Sequence, residues 1–406
     1  MAATEKGVWD LQDVRDKQLQ SEWTYDGQGE LWAVGRGGVG QLAQNNDTSY
    51  SSPRQIPGTT WTGVVAEGLH NISGGLATKT DGTLWAWGHS GYGECGQNNT
   101  QEGYSSPVQI PGTDWGSVFS KGLNNRGATK TDGTLWMMGR NRYGVLGQNV
   151  GVTNNSYSIS SPTQVPGTTW GSTKGHLCQG YWNSAAIKTD GTLWSWGYNG
   201  KGGLGQNAPT SSHVSSPVQI GSETTWSQLS HQGYEGYGAI KSDGTAWVWG
   251  GNERGELGLN TNGNEQSSPV QIPGTWAGLS LAQFKTMGVK TDGTLWIWGT
   301  ANDGVLGQNA PSNTQLSSPT QIGTGTDWSG AYLACGEHCG ARKTDGTMWA
   351  WGKNGDGQLG QNNTTSYSSP VQVGSDTTWP TDIGIPDGVV KLSTGDKNLY
   401  AIKTDN

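Results

Sequence analysis

The sequence predicts an all-β protein, a seven-bladed β-propeller with a short N-terminal arm. One observation is a ten-residue motif, KTDGTLWAWG at 79–88, that returns along the whole chain. The spacing of about fifty residues between copies is typical of a propeller. The other observation is the composition, 68 Gly and 22 Trp with only 32% hydrophobic residues. The apolar area must therefore come from regularly placed indole rings that pack beside small residues.

The repeat is marked by seven Asp-Gly pairs. Their aspartates are Asp26, Asp81, Asp132, Asp190, Asp243, Asp292 and Asp345. The copy at 24–35 is looser, with two extra residues before Leu31. Each Asp-Gly pair predicts a two-residue hairpin turn between a first and a second strand. We expect Asp there because it tolerates a positive φ.

The remainder of each repeat predicts two more strands. A loop with the pattern Gly-x-Leu-Gly-Gln-Asn follows the second strand, and Ser-Ser-Pro then starts the third, because proline fits the first position of a strand. A tryptophan begins the predicted fourth strand. These tryptophans are residues 61, 115, 170, 226, 276, 328 and 379. Four antiparallel strands per period correspond to one propeller blade.

Both ends of the repeat array are incomplete. Residues 399–406 read as a first strand without a second, and Asp26-Gly27 opens a second strand without a first. We therefore expect the C-terminal strand to complete the first blade. This divides the chain into an arm at 1–23 and a propeller at 24–406.

The pattern xAxKTDGTLWxWGxNxxGxLG, repeated over residues 24–406, resembles the regulator of chromosome condensation repeat family of seven-bladed β-propellers. This resemblance implies the fold. Relatives include a nucleotide exchange factor for a nuclear GTPase, a secreted β-lactamase inhibitor and many protein-binding domains. The exchange factor has a wedge-like insertion in one blade, and these evenly spaced repeats contain none, so exchange activity is not expected.

The arm carries an apolar set without a clear helical or strand period. Its run GVWDLQDVRDKQLQ, followed by Trp23, resembles the N-terminal segment of structural proteins of tailed phages of marine bacteria. That resemblance implies attachment to other virion proteins and a location in the virion. The expected attachment residues are Trp9, Leu11, Val14, Leu19 and Trp23.

One loop face of the predicted propeller varies from repeat to repeat. It combines the loops after each second strand with the connections before each first strand, and it is rich in Tyr, Trp, Arg and Asn, which favour recognition. The expected ligand-binding residues are His70, Asn71, Asn124, Arg126, Arg142, Tyr143, Tyr181, Trp182, Asn183, Tyr198, Tyr234, Tyr237, Arg254, Phe284, Lys285, His338 and Lys397.

Several functions are disfavoured by composition and spacing. The net charge of −8 and the absence of a basic stripe argue against nucleic acid. No apolar run is long enough for a membrane span or a secretory signal. We expect no cofactor and no metal, because Cys335, His338 and Cys339 lack a second ligand pair. Cys95 takes a position that is leucine in other repeats, as at Leu146, and reads as a buried apolar residue.

The leading hypothesis is a non-enzymatic virion protein of the tail, neck or capsid fibre. Its variable face would bind a protein or glycan on the host surface. The alternative is a soluble protein-interaction module, inhibitor or regulator on the same fold. A third hypothesis, a glycan hydrolase, requires a pair of converging carboxylates that the repeated strands do not provide.

Overall fold

The computed structural model describes residues 29–403 apart from short internal segments. The segments outside the description are 36, 67–73, 120–123, 151–156, 173–174, 232–235, 283, 301–303, 310, 312–313, 334–337, 356–358, 360, 362, 376, 378–391 and 395–397. The predicted N-terminal arm and its five attachment residues therefore lie outside the described residues.

The described residues form a seven-bladed propeller, which confirms the predicted fold. We number each blade by its Asp-Gly pair. Blade 1 contains β1 (Glu30–Gly35), β2 (Tyr50–Gln55), β26 (Leu392–Thr394) and β27 (Asn398–Lys403). Blade 2 contains β3 (Trp61–Ala66), β4 (Gly74–Lys79), β5 (Leu84–His89) and β6 (Gly103–Ile110). Blade 3 contains β7 (Trp115–Phe119), β8 (Asn125–Lys130), β9 (Leu135–Arg140) and β10 (Ser158–Val165).

The remaining blades follow the same plan. Blade 4 contains β11 (Leu177–Gln179), β12 (Asn183–Ile187), β13 (Leu193–Gly197) and β14 (Val214–Gln219). Blade 5 contains β15 (Trp226–His231), β16 (Gly236–Lys241), β17 (Thr245–Gly250) and the first part of β18 (Gln266–Ala282). Blade 6 contains the rest of β18, then β19 (Lys285–Lys290), β20 (Leu295–Thr300) and β21 (Gln315–Gln321). Blade 7 contains β22 (Trp328–Leu333), β23 (His338–Lys343), β24 (Met348–Gly352) and β25 (Tyr367–Gln372). Short 3-10 turns occupy Arg142–Gly144 and Gly200–Gly202.

The boundary between blades differs from the sequence interpretation. The strand that begins at the repeated Trp pairs with the strand before the next Asp-Gly, as β3 pairs with β4. It is thus the first strand of a blade rather than the fourth. The first strands of consecutive blades lie side by side from β26 and β3 round to β18 and β22, so they form the inner wall of the ring.

Closure of the ring involves both chain ends, as the sequence predicted. β1 pairs with β27 in continuous antiparallel register from Glu30 opposite Lys403 to Gly35 opposite Asn398. The structure adds a second C-terminal strand, since β26 pairs with β27. Blade 1 therefore takes two strands from each end of the chain.

The hydrophobic core lies between blades. Leu31, Leu42 and Ile56 of blade 1 form one buried cluster with Trp61 and Trp87 of blade 2. The Trp87 indole N–H donates to the Gln41 carbonyl in the preceding blade at 2.9 Å. The same bond joins Trp196 to Val145, Trp249 to Gly203, Trp298 to Glu256 and Trp351 to Val305.

The Gly-Gln-Asn loop fastens each blade to the next. Asn98 has a φ of 58°, a conformation that asparagine tolerates better than most residues. Its backbone N–H then donates to the Ser160 carbonyl of blade 3 at 2.7 Å. The equivalent donors are Asn45, Asn149, Asn207, Asn260 and Asn309. A repeated sequence signature thus becomes a repeated contact between blades.

Candidate functional site

The Asp-Gly face is nearly identical in the blades that the structure describes. The Lys130 ammonium lies 5.1 Å from the ring centre of Trp115 and 4.9 Å from that of Trp136. The two indoles meet edge to face at 6.3 Å. The same arrangement holds Lys79, Lys188, Lys241, Lys290 and Lys343. The repeated Lys and Trp of the motif are therefore structural.

The turn aspartates act through their side chains. Gly133 takes the positive φ, 79°, and Asp132 does not, so the prediction that Asp is present to tolerate a positive φ was wrong. Asp132 Oδ1 instead accepts from the Thr134 backbone N–H at 2.9 Å and hydroxyl at 2.6 Å. Trp136 Nε1 donates in turn to that hydroxyl at 2.8 Å. These hydrogen bonds hold the pKa of Asp132 below its ordinary value.

The opposite loop face carries an aromatic cluster between blades 3 and 4. The ring of Tyr143 lies 5.7 Å from Trp182, 4.7 Å from Tyr198 and 5.0 Å from His213. Trp182 and Tyr198 meet edge to face at 5.4 Å, and Tyr198 stacks on His213 at 4.7 Å. All four side chains are half-buried. The sequence predicted Tyr143, Trp182 and Tyr198 as binding residues, and the structure brings these three together.

Arg142 completes this cluster. Its guanidinium lies 4.7 Å from the Trp182 ring centre and 5.2 Å from that of Tyr143. Such stacking orients a guanidinium on an aromatic face. We call Arg142, Tyr143, Trp182, Tyr198 and His213 the aromatic–arginine surface.

Local backbone geometry projects these side chains from the scaffold. Tyr143 has a φ of 56° in the 3-10 turn after β9. Trp182 sits in the hairpin turn between β11 and β12, which the Gly180 N–H closes by donating to the Asn183 carbonyl at 2.8 Å. Tyr198 directly follows β13. Each ring is thus carried by a short turn at the end of a strand.

His213 was not predicted. It lies at the end of a polar loop, and Ser, Thr and Pro around it gave no signal of a binding residue. Its Nδ1 accepts from the Asn199 backbone N–H at 3.1 Å. Burial lowers the pKa of His213, which favours the neutral ring.

A smaller stack adjoins the surface at blades 2 and 3. The Arg140 guanidinium lies 4.8 Å from the Tyr92 ring centre. His89 Nδ1 lies 2.9 Å from Glu94 Oε1, and Glu94 is fully buried. Tyr92 was not among the predicted binding residues, although it occupies the repeat position that carries Tyr143 in blade 3.

Two predicted binding residues are buried between blades. Arg126 is fully buried, and its guanidinium donates to the carbonyls of Gly75 at 3.3 Å and Trp87 at 3.1 Å. Tyr237 is fully buried, and its hydroxyl donates to Asn183 Oδ1 at 3.0 Å. Burial raises the pKa of Tyr237. Both are the second residue of the strand that precedes an Asp-Gly turn, β8 or β16, and this position faces the preceding blade. The structure therefore corrects their expected place on the binding surface.

The other predicted residues are distributed around the ring. Asn124, Tyr181, Asn183 and Lys285 are buried, and the structure likewise corrects their expected exposure. Arg254 is exposed, whereas Phe284 and His338 are half-buried in other blades. The remaining predictions fall outside the described residues, namely His70, Asn71, Tyr234 and Lys397.

Cys95 and Cys339 are both buried. Cys95 is fully buried at its leucine-like position. Burial raises the pKa of Cys339 to about 12, and its thiol donates to the Val305 carbonyl.

The described residues contain no cluster of metal-ligating side chains, and Cys335 lies outside them. No helix within the described ranges has the length and apolarity to cross a membrane.

Comparison with known proteins supports the repeat resemblance. The regulator of chromosome condensation (RCC1) repeat model matches residues 190–230, 243–277 and 345–401. The ultraviolet-B receptor UVR8 of Arabidopsis thaliana is 25% identical over 254 residues, which cover 60% of this chain and 53% of the receptor. The mitochondrial RCC1 domain-containing protein RUG3 of the same plant is 28% identical over 257 residues, 60% of this chain and 55% of that protein. The chain thus spans about half the length of these relatives.

A solved structure shares the fold. Prp20p from Saccharomyces cerevisiae superposes with a TM-score of 0.72 at 15% identity, covering 95% of this chain and 93% of Prp20p. At this identity the likeness concerns the propeller architecture alone.

Proposed function

We propose that this chain is a protein-binding propeller that contacts its partner through the aromatic–arginine surface. The observation that carries the proposal is the joint placement of Arg142, Tyr143, Trp182 and Tyr198 within ring-contact distance on a rigid loop face. Tyr, Trp and Arg dominate binding energy at protein interfaces, and the two aromatic residues bury large areas at low entropic cost.

The contrast between the two faces supports this assignment. On the Asp-Gly face each Lys and Trp is committed to the same contact in blade after blade. On the loop face, the ring contacts among the described residues lie in blades 2 to 4, so this part of the ring differs from its own repeat. A departure from the repeat on an otherwise regular scaffold is where recognition is expected.

Relatives with this repeat support a protein-binding, regulatory role. The crystal structure of Prp20p was described together with its binding to Gsp1p and histones. UVR8 is named as a receptor. These are properties of those proteins, and for this chain they support the general class of protein-binding regulator.

The test compares a Tyr143→Ala/Trp182→Ala variant with the full-length wild type. Each is immobilised, exposed to candidate cell extracts and analysed by quantitative mass spectrometry. Tyr157→Ala is the matched control, because Tyr157 is 39% exposed and lies outside the surface. We expect the double variant to lose a partner that wild type and control retain. Equal capture by all three proteins would overturn the proposal.

A particle-attached version of this function is a second candidate. The tryptophans Trp9 and Trp23 and the resemblance of residues 1–23 to phage structural proteins favour it. In this version the arm holds the chain on a virion and the aromatic–arginine surface meets a protein or glycan of the host cell. Mass spectrometry of purified, intact particles tests it, and absence of the chain from those particles would reject it.

A further inference from the structure

We infer that the partner presents an acidic peptide segment to the aromatic–arginine surface and the adjoining Arg140, an inference that rests on the proposed function. Three features support the inference: the positive charge of Arg140, the unpaired polar atoms in the strand and turn that carry Trp182, and the apolar rings around them.

The charge on this part of the face is opposite to that of the whole chain, which has a net charge of −8. Arg140 and Arg142 flank one residue at the start of the blade 3 loop, and each lies over an aromatic ring. Arg140 pairs with no carboxylate in the part of the chain that the structure describes. A guanidinium held on a ring offers a rigid fork that fits a carboxylate.

In the corresponding loop of blade 4, a cation is paired with carboxylates of the same chain. Lys201 occupies the position of Tyr143, with the same φ of 56°. Its ammonium lies 2.6 Å from Glu253 and 3.0 Å from Glu265, and these carboxylates raise its pKa. The chain thus neutralises this neighbouring cation internally and leaves Arg140 for an external acid.

Unpaired polar atoms lie in the strand and turn that carry Trp182. Trp182 Nε1 is buried without a hydrogen-bond partner, and so are both polar atoms of the Gln179 amide. Gln179 is 2% exposed. It lies opposite Ser184, whose hydroxyl donates to Val145 in the blade 3 loop at 3.1 Å. Opposite residues of an antiparallel pair share a face, so the Gln179 amide also faces that loop.

A peptide matches this set of groups. Its acidic side chain pairs with a guanidinium. Its backbone pairs with the indole N–H and the Gln179 amide once the turn that carries Trp182 moves aside, because these atoms have no accessible surface in the free protein. Buried polar groups without partners destabilise the free protein, so pairing them on binding contributes to affinity. Recognition of acidic motifs by arginines is a recurrent peptide-binding mode.

The first experiment measures fluorescence polarisation of labelled peptides on the full-length protein. The peptides share one sequence with apolar spacers and carry Glu, Gln or Lys at the same positions. We expect the Glu peptide to bind about tenfold more tightly than the Gln peptide, as for one charged hydrogen bond, and to weaken with salt. Equal affinity of the Glu and Gln peptides, or binding of neutral oligosaccharides instead of peptides, would overturn the inference.

A set of variants separates this inference from the proposed function. Arg140→Gln/Arg142→Gln should weaken both the Glu peptide and any partner captured by the wild type. If the captured partner is lost by Tyr143→Ala/Trp182→Ala but retained by the arginine variant, the acidic segment is rejected and the proposed function stands. If both variants retain it, the proposed function itself fails.

Gln179→Met supplies a further readout. It removes the unpaired amide at nearly constant shape, so the free protein should melt at the same temperature as the wild type or higher. Binding of the Glu peptide should nevertheless fall. Unchanged affinity in a folded Gln179→Met variant would contradict the role given to this amide.

Discussion

At the residue scale, the repeated motif is explained by a short chain of hydrogen bonds. Asp accepts from Thr, Thr accepts from the indole of Trp, and Lys lies between two indoles, as Asp132, Thr134, Trp136 and Lys130 show. Glycine is needed after Asp because that position has a positive φ. The residues of KTDGTLW therefore form one turn in which hydrogen bonds and a cation–ring contact link Asp, Thr, Trp and Lys.

Removing the middle of this chain should weaken the blade. Thr134 is buried, and Thr134→Val keeps its shape while deleting the hydroxyl that serves both Asp132 and Trp136. We expect a loss of about 1 kcal/mol in the free energy of unfolding. Urea denaturation measures it, with exposed Thr210→Val as control. An equal, small effect at both positions would mean that the hydrogen-bond chain contributes little.

His213 makes the free energy of unfolding depend on pH. Because burial holds its pKa below the ordinary value of 6.5, the unfolded chain takes up a proton more readily than the folded one. The contribution of His213 is therefore complete above that ordinary value and is lost as the pH falls below it. Protonation also removes the acceptor for the Asn199 N–H.

The comparison of wild type with His213→Gln isolates this effect. Both proteins are melted at pH 7.5 and at pH 5, and we expect the wild type to lose more stability between the two than the variant. His176 shifts in the same direction and is present in both proteins, so it cancels. Identical losses would show that His213 does not titrate with folding.

At the element scale, the blade 2–3 interface departs from its equivalents. Blade 3 packs on blade 4 through Leu146, Ser184 and Trp196, whereas Cys95, Arg126 and Met138 stand at the same positions between blades 2 and 3. Arg126 Nη1 lies 3.3 Å from Cys95 Sγ. The three residues form a matched set in which a guanidinium occupies space that elsewhere belongs to an indole.

Single and combined changes should differ sharply at this interface. Arg126→Ser alone leaves the carbonyls of Gly75 and Trp87 without their donor and opens a cavity, so we expect a loss of about 3 kcal/mol or more. The triple change Cys95→Leu/Arg126→Ser/Met138→Trp recreates the blade 3–4 set and should recover most of it. Thermal denaturation compares the two. A triple variant less stable than Arg126→Ser would contradict the idea that the two sets of residues are interchangeable.

The hairpins were predictable from the sequence, because the Asp-Gly signal acts locally. The prediction that the Ser-Ser-Pro proline opens its strand was wrong, since Pro162 lies inside β10 where the register shifts. The blade boundary was not, because it depends on which neighbouring strand pairs with Trp61–Ala66 in space. Arginine and tyrosine are common on protein surfaces, so Arg126 and Tyr237 were assigned there. Only the packing of the blades shows that their strand position faces the preceding blade. The cluster of Tyr143, Trp182 and Tyr198 was predictable as variable aromatics, whereas His213 depends on how its loop returns to the ring.

At the scale of the whole molecule, blade 1 joins the two ends of the chain. The pairing of β1 with β27 joins the facing backbone groups of the two strands along their length. Without it, blade 1 has an unpaired edge and the ring is open. Stability of the ring therefore depends on residues far apart in sequence.

Truncation tests the contribution of closure. Deleting 392–406 removes β26 and β27, and we expect a melting temperature lower by on the order of 10 °C or more, with association through the exposed edge of β1. Deleting 404–406 removes no described strand and serves as control. Circular dichroism and size-exclusion chromatography report the two effects. A truncated protein that melts like the control would show that closure adds little.

Because β18 is continuous, blades 5 and 6 are joined more firmly than other neighbouring blades. In the Ile272-Pro-Gly-Thr-Trp276 connection only three residues separate the outer strand of blade 5 from the inner strand of blade 6, whereas four separate Ile56 from Trp61. The backbone ladder consequently runs through both blades as a single sheet of seven strands. We expect blades 5 and 6 to stay together under force or partial unfolding, while the other blade interfaces open first.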